Sequence, residues 1–122
     1  MSRAILLLDH GSRLSAANQL LEQIAEGVRR RRGGVIVEVA HMELAEPSLA
    51  QGLERCAALG ASEVVVCPYF LVPGRHTSRD IPQLVEQARR ALPALRVAVA
   101  APLGFDERLV DVVLARIDAA AD

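Results

Sequence analysis

Ala4-Ile5-Leu6-Leu7-Leu8-Asp9-His10-Gly11-Ser12-Arg13 runs five apolar residues straight into a carboxylate, an imidazole and a glycine. A short, continuous apolar run of this kind suits a strand buried on both faces, as in a parallel sheet covered by helices. Three more such runs follow, at residues 35–39 (Val-Ile-Val-Glu-Val), 64–67 (Val-Val-Val-Cys) and 97–101 (Val-Ala-Val-Ala-Ala). Segments with helical spacing separate them. Leu20, Leu21, Ile24 and Val28 form one stripe of a helix starting near Ser15. Arg29 to Arg32 and then Gly33-Gly34 end it, with cations at the negative end of the dipole and glycine at the left-handed cap. Pro47 marks the first turn of a second helix, which carries Leu49 and Leu53 and stops at Gly60. A third begins near residues 80–82 and turns Leu84, Val85, Ala88 and Leu92 inward. Asp106 caps a fourth, whose buried stripe is Leu109, Val110, Val113, Leu114 and Ile117. The order βαβαβαβα with right-handed crossovers predicts one α/β domain over residues 1–122, a sandwich around a four-stranded parallel sheet of order 2-1-3-4.

Composition narrows the function. The chain has 122 residues, 52% of them apolar, which is far too many for a disordered segment. Its net charge of −1 gives no global attraction to nucleic acid or to an anionic membrane. One Tyr, two Phe and no Trp leave almost no stacking platform for bases. Cys56 and Cys67 form no CxxC pair and read as small core residues rather than a disulfide framework. The apolar run at residues 4–8 is shorter than a signal-peptide core, and no stretch approaches the roughly 20 apolar residues of a membrane span. A cytoplasmic protein is expected.

In open α/β sheets ligands sit beyond the carboxyl ends of the strands, near the point where strand order reverses. All three histidines fall just after predicted strands: His10 after the first, His41 after the second and His76 after the third. Gly11 is a single glycine, no GxGxxG or GxxxxGK[ST] occurs and every basic residue is Arg, so the phosphate-cradle motifs are absent. No GxSxG elbow surrounds Ser12. Histidines with nearby carboxylates and no thiolate suit a divalent metal held loosely, with open coordination positions. His41 and Glu43, two apart, would share one face of an extended strand.

Three motifs in order resemble the short CbiX-type sirohydrochlorin chelatases. They are His10-Gly11-Ser12-Arg13, Met42-Glu43-x-x-Glu46-Pro47-Ser48, and Phe70-Leu71-x-x-Gly74-x-His76-x-x-Arg79-Asp80-Ile81-Pro82. Pro102-Leu103-Gly104 and the final helix continue the resemblance, which spans essentially the whole chain. It implies the class II chelatase fold in its single-lobe, flavodoxin-like form. It also implies insertion of Co(II), or in some members Fe(II) or Ni(II), into sirohydrochlorin, with no nucleotide and no permanently bound cofactor. Cobalt insertion, as in cobalamin synthesis, is the first reading.

By resemblance, His10 matches the proton-accepting, metal-contacting histidine and His76 the second metal ligand. Glu46 and the segment Leu71, Val72, Pro73, Gly74, Arg75, His76 match tetrapyrrole contacts. Asp9 replaces a common glycine and His41 a usual apolar residue, so His41 and Glu43 are expected as auxiliary ligand or base. The histidine-rich insert of some archaeal members is absent. Removing pyrrole N–H protons needs a base active near neutral pH, which imidazole supplies. Arg13, Arg75 and Arg79 suit the carboxylates of the tetrapyrrole. A single lobe is expected to pair with a second copy, strand-end faces together, as a homodimer. A non-catalytic tetrapyrrole or metal carrier, or a flavodoxin-like interaction domain, would share the fold.

Overall fold

The computed structural model describes residues 2–72 and 75–121, and of residues 75–78 the backbone alone. Its elements are β1 (Arg3–Asp9), α1 (Ser15–Arg31), β2 (Ile36–His41), α2 (Leu49–Ala58), β3 (Glu63–Pro68), α3 (Arg75–Arg90), β4 (Arg96–Val99) and α4 (Glu107–Ala121). The sheet is four-stranded and parallel, as the apolar runs predict, and its order β2-β1-β3-β4 is the doubly wound order expected. β1 lies at its centre, in register with β2 from Ala4↔Ile36 to Asp9↔His41 and with β3 from Arg3↔Glu63 to Leu8↔Pro68.

The alternation of side chains along each strand divides the core between two faces. Ala4, Leu6 and Leu8 of β1 and Val64 and Val66 of β3 pack with Leu49, Leu53 and Cys56 of α2 and Ile81 and Val85 of α3. On the opposite face Leu7 and Val37 meet Leu21 and Ala25 of α1. Gly52 of α2 is required by this packing, because a Cβ there would lie 2.9 Å from a methyl of Leu6.

Several local readings shift. Pro47 does not open α2. Ser48 is the N-cap, accepting a bond from the Gln51 backbone while Gln51 reaches back to the Ser48 backbone, and Pro47 precedes it across a cis Glu46–Pro47 bond. α3 begins at Arg75 and holds Pro82 within it, since one proline removes a single helical hydrogen bond while Leu84, Val85 and Ala88 still pack on the core. Leu20 faces solvent at 50% exposure, one position off the buried Leu21–Ala25 line.

The expected buried stripe of α4 is the largest correction. No residue of α4 is buried, and Val110, Val113, Leu114 and Ile117 are all exposed. α1 covers β1 and β2 on one face, and α2 and α3 cover the other, but α4 does not pack onto the sheet. The α1 side of β3 and β4, with Val65 and Cys67 half-buried and Ala98 exposed, is left open by the described residues.

Candidate functional site

β1 and β2 end side by side, and backbone bonds carry their pairing two residues further. Met42 donates to the Asp9 carbonyl (2.9 Å) and Glu43 to the His10 carbonyl (3.0 Å). Gly11 makes this approach possible. It has φ +96°, and a Cβ on it would sit 1.8 Å from the Glu43 carbonyl oxygen. The result brings His10 Nε2 to 2.7 Å from Glu43 Oε1, with both side chains 58% exposed. Two ligands bound at adjacent positions of one divalent ion, each about 2.1 Å away, lie about 3 Å apart. The two groups are therefore spaced to share a proton or, after a small relaxation, an ion.

His41 departs from its expected place. β2 ends at His41, and the two residues do not share a partner: His41 is buried against Asp9 while Glu43 is exposed against His10. The His41 side chain is 4% exposed and donates through Nδ1 to Asp9 Oδ1 at 2.5 Å. It lies beneath the site as a paired, enclosed group rather than beside Glu43 as an open ligand. The two positions at which the chain departs from the pattern it resembles are thus one contact.

A cavity of about 260 Å³ lies beside this pair, lined by Asp9, His10, Gly11, Ser12, Ala17, Asn18, Tyr69 and Phe70. Asn18, Tyr69 and Phe70 were not singled out as site residues by sequence reasoning. Asn18 fixes the loop after β1 twice, donating to the Ser12 carbonyl (2.7 Å) and accepting from the Ser12 backbone (3.0 Å). Nothing in the α1 pattern marks it. Phe70 stands within the third motif, and its carbonyl accepts from Leu103, which ties the loops after β3 and β4 together. Leu71 and Val72 are exposed and line a second cleft of about 640 Å³ with Gly104, Phe105, Leu109, Val112 and Val113.

Other expected residues sit elsewhere. Glu46 accepts from Gln51 and lines a separate cavity with Glu38, Val39, Pro47 and Arg55, which shares no wall with the His10 cavity. Arg13 and Arg79 are exposed. Pro73 and Gly74 lie outside the described residues, and so do the side chains of Arg75 and His76. Among the described residues no three or more His, Cys, Asp and Glu side chains are arranged so as to hold a metal ion. Burial pushes the Cys56 thiol up to about 11 and raises that of Cys67, so neither supplies a thiolate near neutral pH.

The CbiX family matches residues 4–120. The chloroplastic sirohydrochlorin ferrochelatase of Arabidopsis thaliana is 44% identical over 113 residues, which are 93% of this chain and 50% of that protein. The sirohydrochlorin cobaltochelatase of Methanocaldococcus jannaschii is 32% identical, with 93% of this chain and 96% of that one aligned. The structure of SirB from Bacillus subtilis with Fe3+ superposes with a TM-score of 0.88 at 31% identity, over 100% of this chain and 48% of SirB. The chain thus spans about half the length of the first and third of these proteins and nearly all of the second. With its whole fold and three ordered motifs inside that match, the chain belongs to the CbiX family.

Proposed function

We propose that this protein inserts a divalent metal into sirohydrochlorin, with Co(II) as the first metal and Fe(II) and Ni(II) as variants of the same reaction. The observation that carries the reading is the His10–Glu43 pair at the open end of the sheet. Metallation exchanges the pyrrole N–H protons for the ion. His10 and Glu43 hold the metal by one nitrogen and one oxygen and leave its other positions free for the ring nitrogens. As the ion leaves these two groups for the ring nitrogens, their freed lone pairs take up the displaced protons and pass them to water. His76 completes the metal site as a second imidazole. Glu46 and residues 71–76 contact the tetrapyrrole, and Arg13, Arg75 and Arg79 pair with its carboxylates. An imidazole–carboxylate set accepts Fe(II), Co(II) and Ni(II), with affinity rising in that order, so the choice among them rests on metal supply rather than on raw affinity. Relatives named for cobalt and for iron agree with that. No resident cofactor takes part; the metal is a substrate.

The working unit is a homodimer in this reading. Beside the strand-end faces, exposed Val110, Val113, Leu114 and Ile117 of α4 and the side of β3 and β4 that the described residues leave open offer apolar surface for it. The cavity beside His10, at about 260 Å³, is smaller than ordinary ligand sites, so a second wall is needed to enclose a tetrapyrrole.

His10→Ala and Glu43→Gln test the assignment, with sirohydrochlorin absorption followed after adding Co(II), Fe(II) or Ni(II). The reading requires wild-type conversion and a loss of at least about a hundredfold in His10→Ala, the scale of a general-base and ligand residue. Unchanged conversion in both variants overturns it.

A further inference from the structure

We propose that Asp9 and His41 form a positioning pair that sets the separation of His10 and Glu43, and through it the affinity for the metal. The inference rests on the reading of His10 and Glu43 as metal ligands. Asp9 ends β1, His41 ends β2, and the two are partners in the register of the sheet. Their side chains join at 2.5 Å, and His41 is the one buried polar residue among those described, at 3% exposure. The main chain around it is held on each side. The His41 N–H donates to the Pro47 carbonyl (2.8 Å), which closes the loop of residues 42–46, while Met42 and Glu43 donate to the Asp9 and His10 carbonyls. Gly11 presses on the same place, where an added Cβ would lie 3.1 Å from the His41 Cβ.

His10 follows Asp9 by one residue and Glu43 follows His41 by two, so neither ligand is more than two residues from the Asp9–His41 pair. A buried imidazole must have its polar atoms satisfied, and a carboxylate in register fixes the plane of the ring. With the ring fixed, the ends of β1 and β2 keep one spacing, and the two exposed ligands inherit it. Groups hydrogen-bonded directly to metal ligands commonly account for about 10- to 100-fold in metal affinity, and the same scale is taken for this pair, which acts through one or two residues of backbone.

The test is a calorimetric titration of the full chain with Co(II) alone, beside the urea midpoint of each variant. No tetrapyrrole is needed, so a failure of the chelatase reading leaves this test standing. Asp9→Ala and His41→Leu should each weaken Co(II) binding about 10- to 100-fold, and the double variant no more than either single change. The double variant removes both polar groups and should recover most of the lost urea midpoint, yet its Co(II) affinity should stay low. Asp9→Asn, which still offers Oδ1 to His41, should bind within about threefold of wild type. A Co(II) affinity that rises and falls with the urea midpoint and returns in the double variant overturns the proposal. So does His41→Leu binding Co(II) as well as wild type.

Discussion

His10 Nε2 and Glu43 Oε1 stand 2.7 Å apart, although their residues come from strands whose own pairing stops at Asp9 and His41. The contact depends on two backbone bonds beyond the strand ends and on a glycine that lets the loops touch. Glu43→Gln keeps the shape and removes the charge. It should weaken Co(II) binding by about tenfold or more while shifting the urea midpoint little, since both groups are exposed. Equal Co(II) affinity in Glu43→Gln and wild type would remove Glu43 from the metal site.

Gly11→Ala should be more damaging than its size suggests. The position has φ +96° and an alanine methyl would sit 1.8 Å from the Glu43 carbonyl oxygen, backbone that cannot step aside alone. A loss of about 2–4 kcal/mol in urea unfolding is expected, in the range of strained and overpacked sites. Co(II) binding should fall with it, because Glu43 is the group displaced. A variant as stable as wild type would show that the loops separate freely.

Much of the fold was legible because it follows from the four apolar runs. Continuous Val, Ile and Leu segments name buried strands, and handedness then leaves few orders to consider. The site was legible more coarsely. Placing His10 and Glu43 at one sheet edge needs strand order alone, and the order 2-1-3-4 agrees with the structure. The Asp9–His41 contact needs register to the residue, and an apolar run at 35–39 does not say that β2 reaches His41. Asn18 escaped because its role is to hold a loop from a helix surface, where no spacing marks it. The α4 stripe was recognised as apolar, but apolar spacing does not say which surface will cover it. Pro82 looked like a helix start because proline is at home there, and packing of the surrounding apolar residues carried α3 through it.

The start of α4 gives a pH dependence. Hydrogen bonds from the Arg108 side chain and backbone hold the Asp106 carboxyl well below its usual range. A carboxylate lowered in the folded state stabilises it above the ordinary value of about 3.9, and the gain is lost as pH falls further toward the folded value. Asp106→Asn should therefore be less stable than wild type at pH 7, with the gap closing below about pH 4 and shrinking in high salt, because the pair is exposed. A gap that does not change between pH 7 and pH 2 would mean that the carboxylate charge contributes nothing.

Assembly can be tested on α4 itself. Val113→Glu with Leu114→Glu places charge on its exposed apolar face without touching a buried residue. Light scattering at micromolar concentration should give the mass of two chains for wild type and of one for the variant, with conversion of sirohydrochlorin reduced at least about tenfold on the scale of a lost site wall. A wild-type chain that is monomeric and fully active would exclude the dimer.

The central claim is turnover, and it is measured most directly by mixing the chain with excess Co(II) and excess sirohydrochlorin and counting metallated product per chain. The account predicts product far beyond one equivalent, formed at a rate proportional to chain concentration and abolished by His10→Ala. An absorption change that stops at one tetrapyrrole per chain, or proceeds as fast without the chain, would contradict it.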